Sequence, residues 1–268
     1  MRGIGARALA GLVCAMAAGC AAQTAPSALT AEQIVDRNAA ARGGLQAWRE
    51  IRTMVWTGHV ESATPSAPAS EFVVEFKRPN KSRFEIDVGH EKSVRVFDGT
   101  RGWKKGYGTP ALRPYSPLEV RSAHEAQGID GLLIDHDAKG IKVALDGAAQ
   151  VEGHNAYRLD VTLPSGSKRR VWVDAQTFLE LRYDRPMRTR AGRDGTVSAY
   201  YRSYRTVEGL LVPGIIEASV ADGRGARKWV IDEVTLNSSL SDAHFEKPQP
   251  PERWRNTVPG FWASADSP

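Results

Sequence analysis

The chain has 268 residues, 41% hydrophobic and 25% charged, with a formal net charge of +5. This composition is ordinary for a folded soluble protein, and the length fits one large β-rich domain or two small ones. The basic excess is small and scattered, which argues against a nucleic-acid partner; without Arg2 and Arg7 it falls to +3, 34 basic against 31 acidic residues.

The N-terminus reads MRGIGARALAGLVCAMAAGCAAQTAPSA. It starts basic, runs apolar from Ala8 to Ala18 and ends in small residues. This is a secretory signal pattern over residues 1–22, and its apolar run is shorter than the ~20 residues that span a bilayer. No later stretch is long and apolar enough for a transmembrane helix. Both cysteines, Cys14 and Cys20, fall in this segment. The body of the chain therefore carries no disulfide, thiol nucleophile or cysteine metal site. Two cuts compete. Ala17-Ala18-Gly19-Cys20 resembles a bacterial lipobox, which would lipidate Cys20 and anchor the protein to the outer membrane. Small residues through Ala22 suit ordinary signal peptidase and release into the periplasm.

Thr30-Ala31-Glu32-Gln33 is a capping box, and it predicts a helix whose stripe includes Ile34, Ala41, Leu45, Trp48 and Ile51. Gly43-Gly44 should break or kink that helix. Strands follow from Met54, Glu71, Ser82 and Ser93, with ATPSAPAS (63–70) as a hairpin loop. Asp98-Gly99 is a turn, and Trp103 opens the next short strand. Ser116-Pro117-Leu118-Glu119 is a second capping box, so residues 114–138 read as a helical insert. Seven further short stretches of mostly alternating character carry the pattern to about residue 237. The proline-rich end, 252–268, reads as a tail.

About eleven alternating strands argue for an antiparallel sheet with one polar and one apolar face. A sheet that wide curls or closes. Only the first helix and the insert are available to cover its apolar face, which hints at a cavity, although a closed barrel would also need little cover.

Few motifs carry chemistry. Asp135-His136-Asp137 could touch a metal, but neighbours in sequence rarely converge on one ion, and a polar helix end is the blander reading. There is no G-x-S-x-G, H-E-x-x-H or phosphate-binding glycine loop. Ser165-Gly166-Ser167 reads as a hairpin tip, and Glu180 with Asp184 does not select itself as a catalytic pair. No catalytic residue, metal or cofactor is assigned. Arg185, Arg188, Arg190 and Arg193 crowd one stretch, either a solvated loop or a basic lip for anionic headgroups.

EFVVEFKRPNKSRFEI resembles the early strand-turn-strand of the LolA-like lipoprotein carriers, and VRVFDGTRGWKK, RVWVDAQTFLELRYD and DAHFEKPQPP are similar to later family segments in the same order. The likeness spans about residues 30–251, within a domain read as 23–251. It implies an α+β, mainly β fold: a strongly curved antiparallel half-barrel closed by a few helices around a cavity for lipid or lipoprotein acyl chains. It also implies that Arg78, in the Lys-Arg-Pro turn, holds the helical lid. Trp56, Phe72, Val74, Phe76, Phe84, Ile86 and Trp103 are then candidate cavity walls, with Leu118, Ile129, Leu132 and Leu133 as candidate cover. Burying acyl methylenes needs only apolar walls and a way in, at ~0.8 kcal/mol per methylene. The same residues could instead pack a dry core, as in an RseB-type periplasmic sensor or interaction module. Expected partners are lipid or acyl chains, an envelope membrane surface or a lipoprotein-handling protein.

Overall fold

The computed structural model describes residues 29–61, 68–89, 91–109, 111–188, 192, 194–220 and 227–249. The leader with Cys20, most of the ATPSAPAS loop, Arg190, Arg193 and the 252–268 tail lie outside the described residues.

Helix α1 (Ala31–Ala41) begins at the capping box read from the sequence. Thr30 Oγ1 accepts from the Gln33 amide at 3.2 Å, and the Gln33 side chain accepts from the Thr30 amide at 3.0 Å. Such caps satisfy two orphan amides and contribute about 1 kcal/mol. Gly43-Gly44 ends α1, and α2 (Leu45–Glu50) follows at once.

The strands are β1 (Thr53–Val60), β2 (Ser70–Lys77), β3 (Lys81–Val88), β4 (Glu91–Phe97), β5 (Gly102–Lys105) and β6 (Arg113–Pro114). After α3 (Pro117–Glu125) come β7 (Lys142–Val151), β8 (His154–Thr162), β9 (Lys168–Asp174), β10 (Glu180–Arg188) and β11 (Asp194–Arg202). A small hairpin, β12 (Arg205–Val207) and β13 (Leu210–Val212), precedes β14 (Ile215–Val220) and β15 (Arg227–Leu236).

Thirteen of these strands form one sheet in the order β6-β5-β4-β3-β2-β1-β15-β14-β11-β10-β9-β8-β7. The chain enters at the middle and walks out to one edge. It then crosses to the opposite edge and walks back until β15 pairs with β1. The sheet is open, because β6 and β7 are its ends and do not pair. Residues 115–141 join those two ends, so topology alone forces them across the open side.

Pairing fixes the faces. Trp56 stands opposite Val74 and Val234, Val74 opposite Phe84, and Phe72 opposite Ile86 and Gly58. Trp56, Phe72, Val74, Phe76, Phe84 and Ile86 thus share one face, as their alternation predicts. That face bends inward. Phe84 on β3 and Trp229 on β15 are three strand steps apart, ~14 Å on a flat sheet, yet their ring centroids lie 5.7 Å apart. The register slips between Thr57 and Gly58, where a Cβ would collide with the Val230 carbonyl and the Phe72 ring. Only glycine admits that approach.

Three expectations are corrected. The sheet has more strands than eleven. Residues 128–140 form consecutive turns rather than a helix, so α3 is the only helical part of the insert. Trp103 pairs with Val96, which pairs with Arg83, and this places it on the opposite face from Phe84.

Candidate functional site

The first part of the crossing segment, α3, is held by charge, and the turns after it also bury Ile129, Leu132, Leu133, Ile134 and Ile141. Helix α3 starts at Ser116 with a capping box and Pro117 in its first turn, and none of its residues is buried. Leu118, expected to cover the sheet, is 69% exposed. Glu119 instead takes Lys104 Nζ at 2.7 Å and Arg95 Nη2 at 3.1 Å, from β5 and β4. At the other end, Glu125 accepts from Ser165 Oγ and Ser167 Oγ at 2.7 Å each and from Arg169, all in the β8–β9 hairpin and its strand. Burial pushes both carboxyls up, but their donors win: Glu119 is lowered to about 2, chiefly by Lys104 and Ser116, and Glu125 is also lowered. The helix is a strap pinned to both arms of the sheet.

The turns after α3 are tied down by Asp130, which is 3% exposed. Arg78 Nη2 and Lys139 Nζ each donate to its carboxylate at 2.7 Å. Lys139 also donates to Gly131 O at 2.8 Å and Ile134 O at 2.6 Å, so three acceptors surround its ammonium. Arg78 reaches back to Ile51 O at 2.7 Å and Trp48 O at 3.0 Å. These are end carbonyls of α2, and the guanidinium satisfies them. Arg78 therefore bridges α2 and the crossing segment. Asp135 adds a bidentate pair with Arg49, at 2.6 and 2.9 Å. Gly128 lies so close to the Phe76 ring that any Cβ would overlap it.

Between this segment and the concave face lies a cavity of about 350 Å³. Its sheet wall is Trp56, Phe76, Val171, Tyr183, Tyr201 and Ile216, and its roof runs from Glu125 to Leu132. The volume sits near the low end of the ~300–1,000 Å³ usual for small-ligand sites. One end is polar. Arg42, the C-cap residue of α1, is 5% exposed, and its guanidinium stacks 4.4 Å from the Trp48 ring. Its Nη1 donates to Asp130 O at 3.2 Å and stands 3.6 Å from Glu180 Oε1. Glu180 opens β10 beside a register slip, and Tyr204 Oη holds its carbonyl at 2.9 Å.

The residues singled out from the sequence divide into groups. Trp56, Phe76, Ile129 and Leu132 line the cavity. Phe72 is buried, with its ring 5.1 Å from Trp229, and belongs to the core around Trp48, Met54 and Ile231. Val74, Phe84 and Ile86 pack beside that core and remain half-buried on the concave face. Leu133 is fully buried with Ile34, Val35 and Leu159 in a second core. Trp103 and Leu118 contribute no wall.

Sequence reasoning missed Arg42, Glu180, Tyr183 and Tyr201. The last two were legible as alternate positions on their strands once those strands were assigned a face. Asp135, His136 and Asp137 do not converge as a set: Asp135 turns to Arg49, while His136 Nδ1 stands 3.1 Å from Ile141 O and 3.3 Å from the exposed Asp137 carboxylate. Asp184 pairs with Arg182, away from Glu180. Arg185 is exposed on β10.

The open antiparallel sheet, its crossing segment and the cavity between them define a LolA-like fold. A LolA superfamily protein from Nitrosomonas europaea superposes with a TM-score of 0.53 at 16% identity, over 82% of this chain and 99% of that one. A DUF1329 family protein from Desulfovibrio piger gives 0.51 at 16%, over 81% and 97%. A structure described as an outer membrane lipoprotein-sorting protein domain, from Vibrio parahaemolyticus, gives 0.51 at 10%, over 80% and 95%. No protein-family model and no curated protein matches the sequence.

Proposed function

We propose that this is an exported binding protein that holds a lipid or lipoprotein acyl chain against the concave face and passes it on without catalysis. One observation carries the reading. Trp56, Val74, Phe76, Phe84, Ile86 and Trp229 are contiguous apolar side chains left only half-buried, beside a cavity roofed by residues of the crossing segment. Folded proteins seldom leave such a wall uncovered without a guest. Guest entry needs α3 and the start of the turns to move aside. Helix α3 buries none of its residues and is pinned by charged contacts, while Leu133, Ile134 and Ile141 anchor the rest of the crossing segment in the cores. The leader supports an envelope location, with Cys20 as anchor if it is lipidated. Lipid-bearing membranes or a lipoprotein-handling protein would supply and receive the guest.

Phe76→Asp and Phe84→Asp test the assignment. Each is expected to keep the fold, because both side chains are half-buried, and to lose uptake of a fluorescent fatty-acid probe. Folded variants that bind the probe normally would overturn it.

A second reading is favoured by the closed end of the face. Phe72, Met54 and Ile231 are fully packed there, as in a sensor or interaction module whose cavity is filled by its own side chains. A protein that takes up no probe at all would support that reading.

A further inference from the structure

The cavity is not a plain hydrocarbon slot. Its polar end carries one cation and one anion, Arg42 and Glu180, which sum to no net charge. The only other charged side chain on the wall among the described residues is Glu125, already engaged by Ser165, Ser167 and Arg169. The contact between Arg42 and Glu180 is a loose 3.6 Å, not a bidentate fork, so neither group is saturated by the other. Arg42 Nε and Trp56 Nε1 are both buried without a hydrogen-bond partner among the described residues. Such unmet donors are costly, and a guest with acceptor oxygens is the kind that relieves them. Tyr183 and Tyr201 line the same wall. Burial pushes both phenols up, so they keep their protons and remain donors.

This donor and acceptor set discriminates between head groups. An anionic head attracted by Arg42 also meets Glu180, and a cationic head attracted by Glu180 also meets Arg42. An uncharged head with hydroxyl and carbonyl groups can donate to the carboxylate and accept from the guanidinium or a phenol at once. The chain of such a guest would lie along the apolar wall of Trp56, Phe76, Val171 and Ile216 that continues from this polar end.

We infer that the cavity takes an uncharged amphiphile, with its hydroxyl-ester or amide head between Arg42 and Glu180 and its chain along Trp56 and Phe76. The inference rests on the lipid-binding reading above and narrows it to a head group.

The test is displacement of the uncharged probe 1-aminoanthracene from the purified protein by three twelve-carbon competitors: monododecanoylglycerol, dodecanoate and dodecyltrimethylammonium. The monoglyceride is expected to displace at concentrations lower by about tenfold or more than either ion, the size of one or two neutral hydrogen bonds. Glu180→Gln should narrow the gap by improving dodecanoate. Tyr201→Phe, which keeps shape, should weaken the monoglyceride while leaving dodecyltrimethylammonium unchanged. Equal displacement by all three, or preference for an ion, overturns the head-group assignment and leaves lipid binding standing. Failure of the probe to bind and of every competitor to act overturns the lipid-binding reading, and this inference with it.

Discussion

Glu119 and Glu125 lie six positions apart in α3, in its first and last turns, and they grip opposite arms of the sheet. Glu119 is held by Arg95 and Lys104 next to one edge, and Glu125 by the β8–β9 hairpin next to the other. The helix rises ~9 Å between them, so α3 works as a clasp across the open side, and its hold is electrostatic.

A clasp of this kind should fail in acid. Both carboxyls titrate below their ordinary value of 4.5, Glu119 at about 2. A lowered carboxyl pKa contributes stability above the unfolded value and loses it as pH falls through the folded one. The strap is therefore expected to be intact above pH 4.5 and to loosen progressively from there toward pH 2. The contribution of Glu119, discounted for solvent screening, is on the order of 1 kcal/mol. Amide exchange in α3 checks this. It should accelerate in that window relative to the intrinsic rate, while β1 and β15 stay protected.

Asp130 is the more deeply set tie. Asp130→Asn leaves the Lys139 ammonium, and in part Arg78, without their carboxylate. Removing one partner of a buried pair costs ~3–5 kcal/mol, and partial exposure of Arg78 lowers this to about 2–4. Denaturant unfolding should show a free energy lower by that amount, and a midpoint lower by that amount divided by the unchanged m-value.

Leu118 and Leu133 make a paired test of which residues cover the sheet. Leu133→Ala should cost about 2–5 kcal/mol, because it empties a fully buried site among Ile34, Val35 and Leu159. Leu118→Ala, at an exposed position, should stay within ~0.5 kcal/mol. Thermal unfolding of the two variants side by side reads the difference.

Gly128→Ala should lift the roof, since its Cβ overlaps the Phe76 ring. Faster entry of a fluorescent lipid probe is expected. Adding Phe76→Ala should restore a normal entry rate by making room, a coupling that two independent effects would not give.

The sequence signals that held were local ones. Thr30 with Gln33, and Ser116 with Glu119, marked both long helices because a capping box is written within four residues. Phe72, Val74, Phe76, Phe84 and Ile86 fell on one face because alternation and the turn at Arg78 fixed their register. Trp103 was misplaced because β5 is four residues long, too short for alternation to show its phase. That phase comes from the turn, where Phe97 pairs with Gly102. The charged strap was illegible for another reason: Glu125 meets Arg169 across 44 positions, and no local pattern announces such a pair. Arg42 and Glu180 meet in the same way, through the packing of α1 against a strand entered 138 residues later.

The most direct test of a guest in the cavity is solvent extraction and mass spectrometry of the protein, made with an exchangeable signal in place of residues 1–22 and purified from a bacterial periplasm. The account expects a co-purifying chain-bearing lipid at about one per protein, lost in Phe76→Asp. A protein that emerges free of lipid, and that then ignores both an uncharged lipid probe and a fatty-acid probe, would contradict it.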